Sequence, residues 1–479
     1  MEQPTTPIPK LQLLITILFQ ASEALSATVI FPFVPHFVQD TGITGGDEKK
    51  TGYWAGVLES IFFVAEFLSV YFWGRASDRF GRRPVLLLGP LGLAFSLIGF
   101  GCSKTFLSLL VFRCAQGVFN GNIGVVKTVM AEMSDSSNLV QIMAFIPMAW
   151  SSGSTLGPII GGLLAEPAKQ WPDTFGKMRI FREYPYLLPC AAVALLSFVF
   201  FLIGLVGLKE SSPVILARNK RAKRTSPEPS SDTALISGDA PTYGAIAPSV
   251  DVSDSNTVVD EDIPSLRELL VPRLVIPLIN YGFFCFSQTA YQVLLPLMYS
   301  TSIPNGGLGL SPYQIGVTRG IWGVTNSCFQ IFVVPRVFRR FGARKTYMFA
   351  FSNFIICIGA YPLLSFFAQR VNKVDGIVWV LVVVQLASNL AIGMAYAASQ
   401  IYIVHSSPRP AALSSTNAVA QMISTITRAL APFIASALFA VSLEWNLAGG
   451  YMVYIVLLGV VAAGMGSSFL LAEDPKKAE

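Results

Sequence analysis

Apolar stretches of about twenty or more residues return along the whole chain, and that length is what a helix needs to cross the hydrocarbon core of a bilayer. Twelve such segments can be read, near 11–38, 52–73, 85–101, 106–131, 138–165, 185–208, 270–298, 313–335, 346–368, 376–404, 411–442 and 450–472. Of the 479 residues, 53% are hydrophobic and only 13% are charged, where soluble domains carry about 25% charged residues. Lipid is therefore the solvent for most of this chain. The first segment holds Thr16, Gln20 and Glu23, which makes it a retained helix and not a cleaved signal peptide.

The net charge of +6 does not mark a nucleic-acid binder, because the basic residues sit in short loops between the apolar segments. With a cytoplasmic amino terminus, 21 Lys and Arg fall in the loops on that side and 9 in the opposite loops. Both termini are thus expected in the cytoplasm. The six cysteines lie in or at the edges of predicted helices without a C-x-x-C pair, and His36 and His405 stand apart. No metal site and no cofactor is expected. No phosphate-cradling loop, catalytic triad or metalloprotease helix occurs, which argues against ATP as energy source and against an enzyme.

The expected domains are 1–208, a first bundle of six helices, and 270–479, a second. Between them, 209–269 reads as a disordered cytoplasmic linker, basic at its start and acidic toward its end. The loop between the second and third segments reads Gly74-Arg-Ala-Ser-Asp78-Arg79-Phe80-Gly81-Arg82-Arg83, a tight polar turn that cannot sit in lipid. The loop between the eighth and ninth segments repeats part of it: Phe341, Gly342 and Arg344 occupy the places of Phe80, Gly81 and Arg83, while Arg339 stands where Asp78 does.

This turn resembles the loop between helices 2 and 3 of the major facilitator superfamily. Further motifs agree: Arg113-x-x-x-Gly117-x-x-x-Gly121, then Gly153-x-x-x-Gly157-Pro158-x-x-Gly161-Gly162, and Thr427-Arg428-x-x-x-Pro432. The pattern from Gly153 to Gly162 looks like the superfamily's antiporter motif, with Ala144 where a further Gly is usual. The resemblance implies an all-α membrane protein of about 12 transmembrane helices in two repeats, rocking between two access states. It also implies a conformational role for the polar turn, as a latch between the halves, and for Gly153, Gly157, Pro158, Gly161 and Gly162.

A narrower resemblance runs from Arg113 to Cys190. The runs Asn120 to Lys127, Gly157 to Ala165, Trp171 to Phe175, and Tyr184-Pro-Tyr-Leu-Leu-Pro-Cys190 are similar to the zinc-induced facilitator-like branch. Plant members carry an amino-terminal C-x-x-C, and here no Cys precedes Cys102. Members of that branch move protons against varied cargo, including metal chelators and small organic compounds.

Helical spacing gives an independent view of a cavity. Thr16, Gln20 and Glu23 share one face of the first span; Arg113, Gln116, Asn120, Gly124 and Lys127 share one of the fourth. Tyr281, Cys285, Gln288 and Gln292 form a stripe on the seventh, Arg319, Trp322, Asn326 and Gln330 on the eighth, and Asn417, Gln421, Ser424 and Arg428 on the eleventh. Polar stripes on otherwise apolar helices line water or bind neighbouring helices. Charges inside spans are functional candidates, because they cost at least about 2.5–3.5 kcal/mol in hydrocarbon. Glu23, Glu59, Glu66 and Arg113 are the candidates for proton coupling, with Glu23 the first choice for the carrier. The four span cations Arg113, Lys127, Arg319 and Arg428 disfavour a bare metal dication and favour anionic or zwitterionic groups. Tyr281, Trp322 and Tyr396 could pack against a ring.

The expected function is proton-coupled antiport of small organic molecules such as drugs or secondary metabolites. The expected partners are that cargo, protons and the bilayer, with one chain as the working unit. The plasma membrane is the favoured location and the vacuolar membrane the alternative. Transport of zinc or a metal chelate, and a non-transporting membrane sensor, are the competing readings.

Overall fold

The computed structural model describes residues 9–134, 142, 145–212, 215, 271–406 and 413–472, and among these every regular element is a helix. The first half comprises α1 (Lys10–Thr28), the short α2 (Val34–Asp40), α3 (Thr51–Phe80), α4 (Arg82–Gly101), α5 (Phe106–Asn120), α6 (Ile123–Glu132), α7 (Phe145–Leu164) and α8 (Leu187–Gly207). The second comprises α9 (Pro272–Ser300), α10 (Pro312–Phe332), α11 (Val334–Val371), α12 (Gly376–His405), α13 (Leu413–Glu444) and α14 (Met452–Ser468). Counting α5 and α6 as one traverse, these helices follow the twelve expected segments. The expected linker lies outside the described residues apart from 209–212 and 215.

Eight of the helical stretches are each long and apolar enough to cross a membrane by length and composition. α9 and α10 do not reach that mark. They carry Asn280, Gln288 and Gln292, and Arg319, Asn326 and Gln330, respectively. Polar side chains of that density are tolerated only where a helix faces protein or water instead of lipid. The outward faces are apolar, with Phe72, Val206, Ile321 and Val383 all exposed.

Two local features depart from the sequence reading. The polar motif is mostly not a loop: α3 stays helical through Phe80, so its arginines ride on a helical extension beyond the membrane. The reversal of direction falls on Gly81 alone, at φ 103°, a conformation that only Gly adopts without strain. Gly342 makes the same reversal within α11 at φ 73°. The fourth span is also broken, between Asn120 and Ile123. There Asn122, buried, donates through Nδ2 to the carbonyls of Val85 and Leu86 at 3.0 and 3.3 Å, so the break is tied to α4.

The repeat extends to contacts. Arg83 donates to the Leu205 carbonyl at 2.8 Å, and Arg344 donates to the Phe469 carbonyl at 2.8 Å. Each arginine thus ties its turn to the end of the sixth span of its own half. Within the first half, α7 lies so close to α1 that a Cβ at Gly161 would stand 1.9 Å from the Val29 carbonyl oxygen. Between the halves, α13 packs along α3 and α10 along α7. At the second seam the backbones nearly touch, since a Cβ on Gly162 would stand 2.3 Å from Gly316 Cα.

Hydrogen bonds join the halves at the non-cytoplasmic face. Glu48, just before α3, accepts from the Ser302 N–H at 2.7 Å, from Ser302 Oγ at 2.5 Å and from Asn305 Nδ2 at 2.8 Å. The Tyr53 hydroxyl donates to Glu444 at 3.2 Å, and Lys50 Nζ lies 4.0 Å from the same carboxylate. At the cytoplasmic face the motif bonds within its own half. Asp78 pairs with Arg82 at 2.5 Å and Arg82 with Glu132 at 3.0 Å. Glu210 accepts from the backbone N–H groups of Arg82 and Arg83 at 2.8 and 3.1 Å, capping the start of α4, and Ser211 Oγ donates to Glu132 at 2.6 Å. In this state the clasp between the halves is on the outer side.

Two outcomes follow from this packing. Gly161→Val should lower stability by about 1–3 kcal/mol, the usual cost of overpacking, read as a fall in thermal midpoint of the purified protein in detergent. Glu48→Ala removes three charge-assisted bonds, each contributing about 1.5–3 kcal/mol in partly buried settings. Spin labels at Ile43 and Pro304 should then report a larger population with separated outer loops; an unchanged distance distribution would mean that the clasp does not hold the halves.

Candidate functional site

The charged residues of the spans collect along the inner walls of the two halves, in two groups at different depths. The group nearer the outer face centres on Glu59 of α3, which is buried and within electrostatic range of Arg113 on α5 and Arg319 on α10. Arg113 has no exposed surface. Its fork is held by the Ala27 carbonyl at 3.0 Å, the Ser26 carbonyl at 3.4 Å and Gln116 Oε1 at 2.7 Å, and its guanidinium lies 4.3 Å from the centre of the Phe62 ring. The carbonyls come from the last two turns of α1, where they point toward the helix end and carry partial negative charge. Arg319 lies over Trp322 at 5.5 Å, with Tyr291, Tyr299 and Tyr361 nearby.

The second group lies deeper, toward the cytoplasm. Glu23 on α1 accepts from Gln20 Nε2 at 2.9 Å, and Glu66 on α3 accepts from Asn120 Nδ2 at 3.1 Å. The carboxylates of Glu23 and Glu66 are within electrostatic range of each other and of Lys127 on α6. Arg428 on α13 reaches the same region from the other half and lies 5.4 Å over Trp150 of α7. Beside it the rings of Tyr281, Phe284 and Tyr396 have centroids 6.2 to 6.5 Å apart.

Other expected residues fall where the helical stripes put them, with different environments. Thr16 is buried and spends its hydroxyl on the Gln12 carbonyl at 2.7 Å, so it presents no free donor to a cavity. Gln288, Gln292 and Asn326 are half-buried, while Asn417 and Gln421 are exposed. Gly74 has open space around it, and Arg79 lies over Phe80 at 5.4 Å on the exposed helix end. Among the described residues no group of three or more His, Cys, Asp or Glu converges as a metal site. Two apolar grooves of about 430 and 530 Å³, between α7 and α10 and between α3 and α5, include none of these charged residues in their lining.

Several participants escaped the sequence reading. Glu48, Glu444, Ser302 and Asn305 lie in loops or at helix ends with no periodicity to mark them. Trp150 and Phe284 look like ordinary core aromatics until Arg428 is placed beside them. Glu132 and Glu210 carried a usable signal: both are acidic residues at cytoplasmic helix ends opposite an arginine-rich turn.

Two helical repeats with charges collected between them and a clasp at one face are the architecture of a membrane carrier. The chain belongs to the Major Facilitator Superfamily, whose family model matches residues 16–432 and 278–479. It is similar to the major facilitator-type transporter psiT2 of Psilocybe cyanescens, 30% identical over 100% of this chain and 93% of that protein. It is similar to the efflux pump azaK of Aspergillus niger, 28% identical over 96% of this chain and 87% of that one. Protein ZINC INDUCED FACILITATOR-LIKE 1 of Arabidopsis thaliana matches at 25% identity over 93% and 88%. The crystal structure of the D-xylose-proton symporter shares the fold, with TM-score 0.66 and 16% identity over 99% of this chain and 100% of that one.

Arg113→Lys tests the upper group. A lysine cannot reproduce the fork that spans two carbonyls and Gln116, nor the flat stacking on Phe62. Transport in sealed vesicles should fall about tenfold or more, the equivalent of about 1.4 kcal/mol, at unchanged membrane insertion.

Proposed function

We propose that the protein is a proton-coupled antiporter that exports small organic molecules from the cytosol, one chain acting as the working unit at the plasma membrane. The observation that carries the reading is the pair Glu23 and Glu66, carboxylates in the wall between the halves, the first buried and the second half-buried, held by Gln20 and Asn120 and not by a cation. A carboxylate in that setting can take a proton in one access state and release it in the other, because its surroundings change when the halves rock. The similarity to the efflux pump azaK supports the direction of transport. Gly153, Gly157 and Gly161 of the antiporter-like run lie at the close contact of α7 with α1, the helix that carries Glu23.

A second reading is handling of zinc or a metal chelate, favoured by the similarity to ZINC INDUCED FACILITATOR-LIKE 1 and by the motif from Tyr184 to Cys190. A chelate would be carried as an organic molecule. Free zinc finds two carboxylates here with Lys127 and Arg428 beside them, an arrangement that repels a dication.

The test is uptake into sealed inside-out vesicles with an imposed pH gradient, using a panel of organic dyes and drugs. At least one should accumulate saturably and collapse with the gradient. Saturable movement of free zinc with no response to any organic compound would overturn the reading. In Glu23→Gln, gradient-driven accumulation should fall to background while exchange of labelled for unlabelled cargo persists. Full gradient-driven transport in that variant would move the proton site to Glu59 or Glu66.

A further inference from the structure

The deeper group holds two carboxylates and two cations that do not close onto one another. Opposite charges inside a membrane bundle ordinarily pair directly, because mutual attraction is what offsets their desolvation; of these four, Glu23 is buried and Glu66, Lys127 and Arg428 are half-buried. Here Lys127 is within electrostatic range of Glu23, Glu66 and Arg428. Yet among the described residues no carboxylate oxygen comes within 4.0 Å of Lys127 or Arg428. Each carboxylate accepts from an amide instead, Glu23 from Gln20 and Glu66 from Asn120.

Those amides leave a second sign. Gln20 Oε1 and Asn120 Oδ1 are buried without a hydrogen-bond partner, on side chains with no exposed surface. Each needs a donor, and leaving a buried acceptor unmet is costly. The unmet groups therefore sort by chemistry. Two carboxylates and two amide oxygens call for a positively charged N–H donor, while Lys127 and Arg428 call for an anion. An aromatic wall stands at the cationic end: Trp150 under Arg428, and Tyr281, Phe284 and Tyr396 around it.

We propose that the cargo is an amphoteric aromatic molecule, its protonated amine held by Glu23, Gln20, Glu66 and Asn120 and its acidic group by Lys127 and Arg428, with its ring against Tyr281 and Tyr396. The inference rests on the export reading and adds the substrate class to it. It also supplies the coupling. An ammonium group and a proton compete for the same carboxylates, so loaded and protonated carriers exclude each other, as exchange requires. A purely anionic cargo would instead favour protonation of Glu23 and Glu66 and travel with the proton.

Three probes that share a ring separate the two ends: phenylalanine carries both charges, phenethylamine the amine alone and 3-phenylpropanoate the acid alone. Binding to the purified full chain, read by saturation-transfer NMR titration, should favour phenylalanine over each of the others by about tenfold. Lys127→Gln and Arg428→Gln should abolish its preference over phenethylamine, and Glu66→Gln its preference over 3-phenylpropanoate. Lys127→Arg should retain the preference, which separates charge recognition from misfolding. Equal binding of the three, tighter binding of a singly charged probe, or no binding of any overturns the inference. The dye panel in wild-type vesicles separates the two failures: dye export without a preference for phenylalanine refutes the substrate class alone, and absence of any gradient-driven export refutes the export reading itself.

Discussion

The structure is organised by one constraint, that a charge or an open polar group cannot face hydrocarbon. Lipid offers no hydrogen bonds, so each such group must find a protein partner or water. The outward surfaces of the helices are apolar in consequence, and the span charges all turn inward. Arg113 shows how far the constraint reaches. Its guanidinium uses two carbonyls at the end of α1, the Gln116 side chain and the Phe62 ring, so three helices are positioned around one side chain.

The two halves solve the cytoplasmic turn in the same way and then diverge. Gly81 and Gly342 reverse the chain, and Arg83 and Arg344 reach back to a carbonyl at the end of the sixth span of their own half. Only the first half has an acid in the turn. Asp78, Glu132 and Glu210 gather around Arg82 and the start of α4, making that corner a rigid, self-contained brace. Among the described residues, Glu48 and Glu444 carry bonds that cross between the halves at the opposite face. A carrier clasped on one side and braced separately on the other can rock without breaking the interior of either half.

Small residues set how closely the moving parts approach. Gly161 on α1's neighbour α7, and the Gly162–Gly316 contact between α7 and α10, bring backbones together with nothing between them. The same helix, α7, carries Trp150, which receives Arg428 from the second half. One helix therefore connects α1 with its carboxylate, the seam between the halves, and the cationic end of the deeper group.

The succession of long helices, the two repeats and the presence of charges within them were legible in the sequence, because each depends on local composition and period: twenty apolar residues and a Gly–Arg turn used twice. Helical spacing also picked the faces that carry Glu23, Asn120, Lys127 and Arg428. It could not tell which charges meet. Arg113 and Lys127 lie on one stripe and look equivalent, yet the break at Gly121 and Asn122 separates them, one beside Glu59 and the other beside Glu66. Thr16 shares a stripe with Glu23 but satisfies its hydroxyl locally. The clasp of Glu48 with Ser302 and Asn305 joins residues more than 250 positions apart, and Arg428 meets Trp150 across the seam. Sequence determined which groups lipid would reject; only the packing of one half against the other decided which partners they found, because pairing at a distance depends on where whole helices lie and not on the period within any one of them.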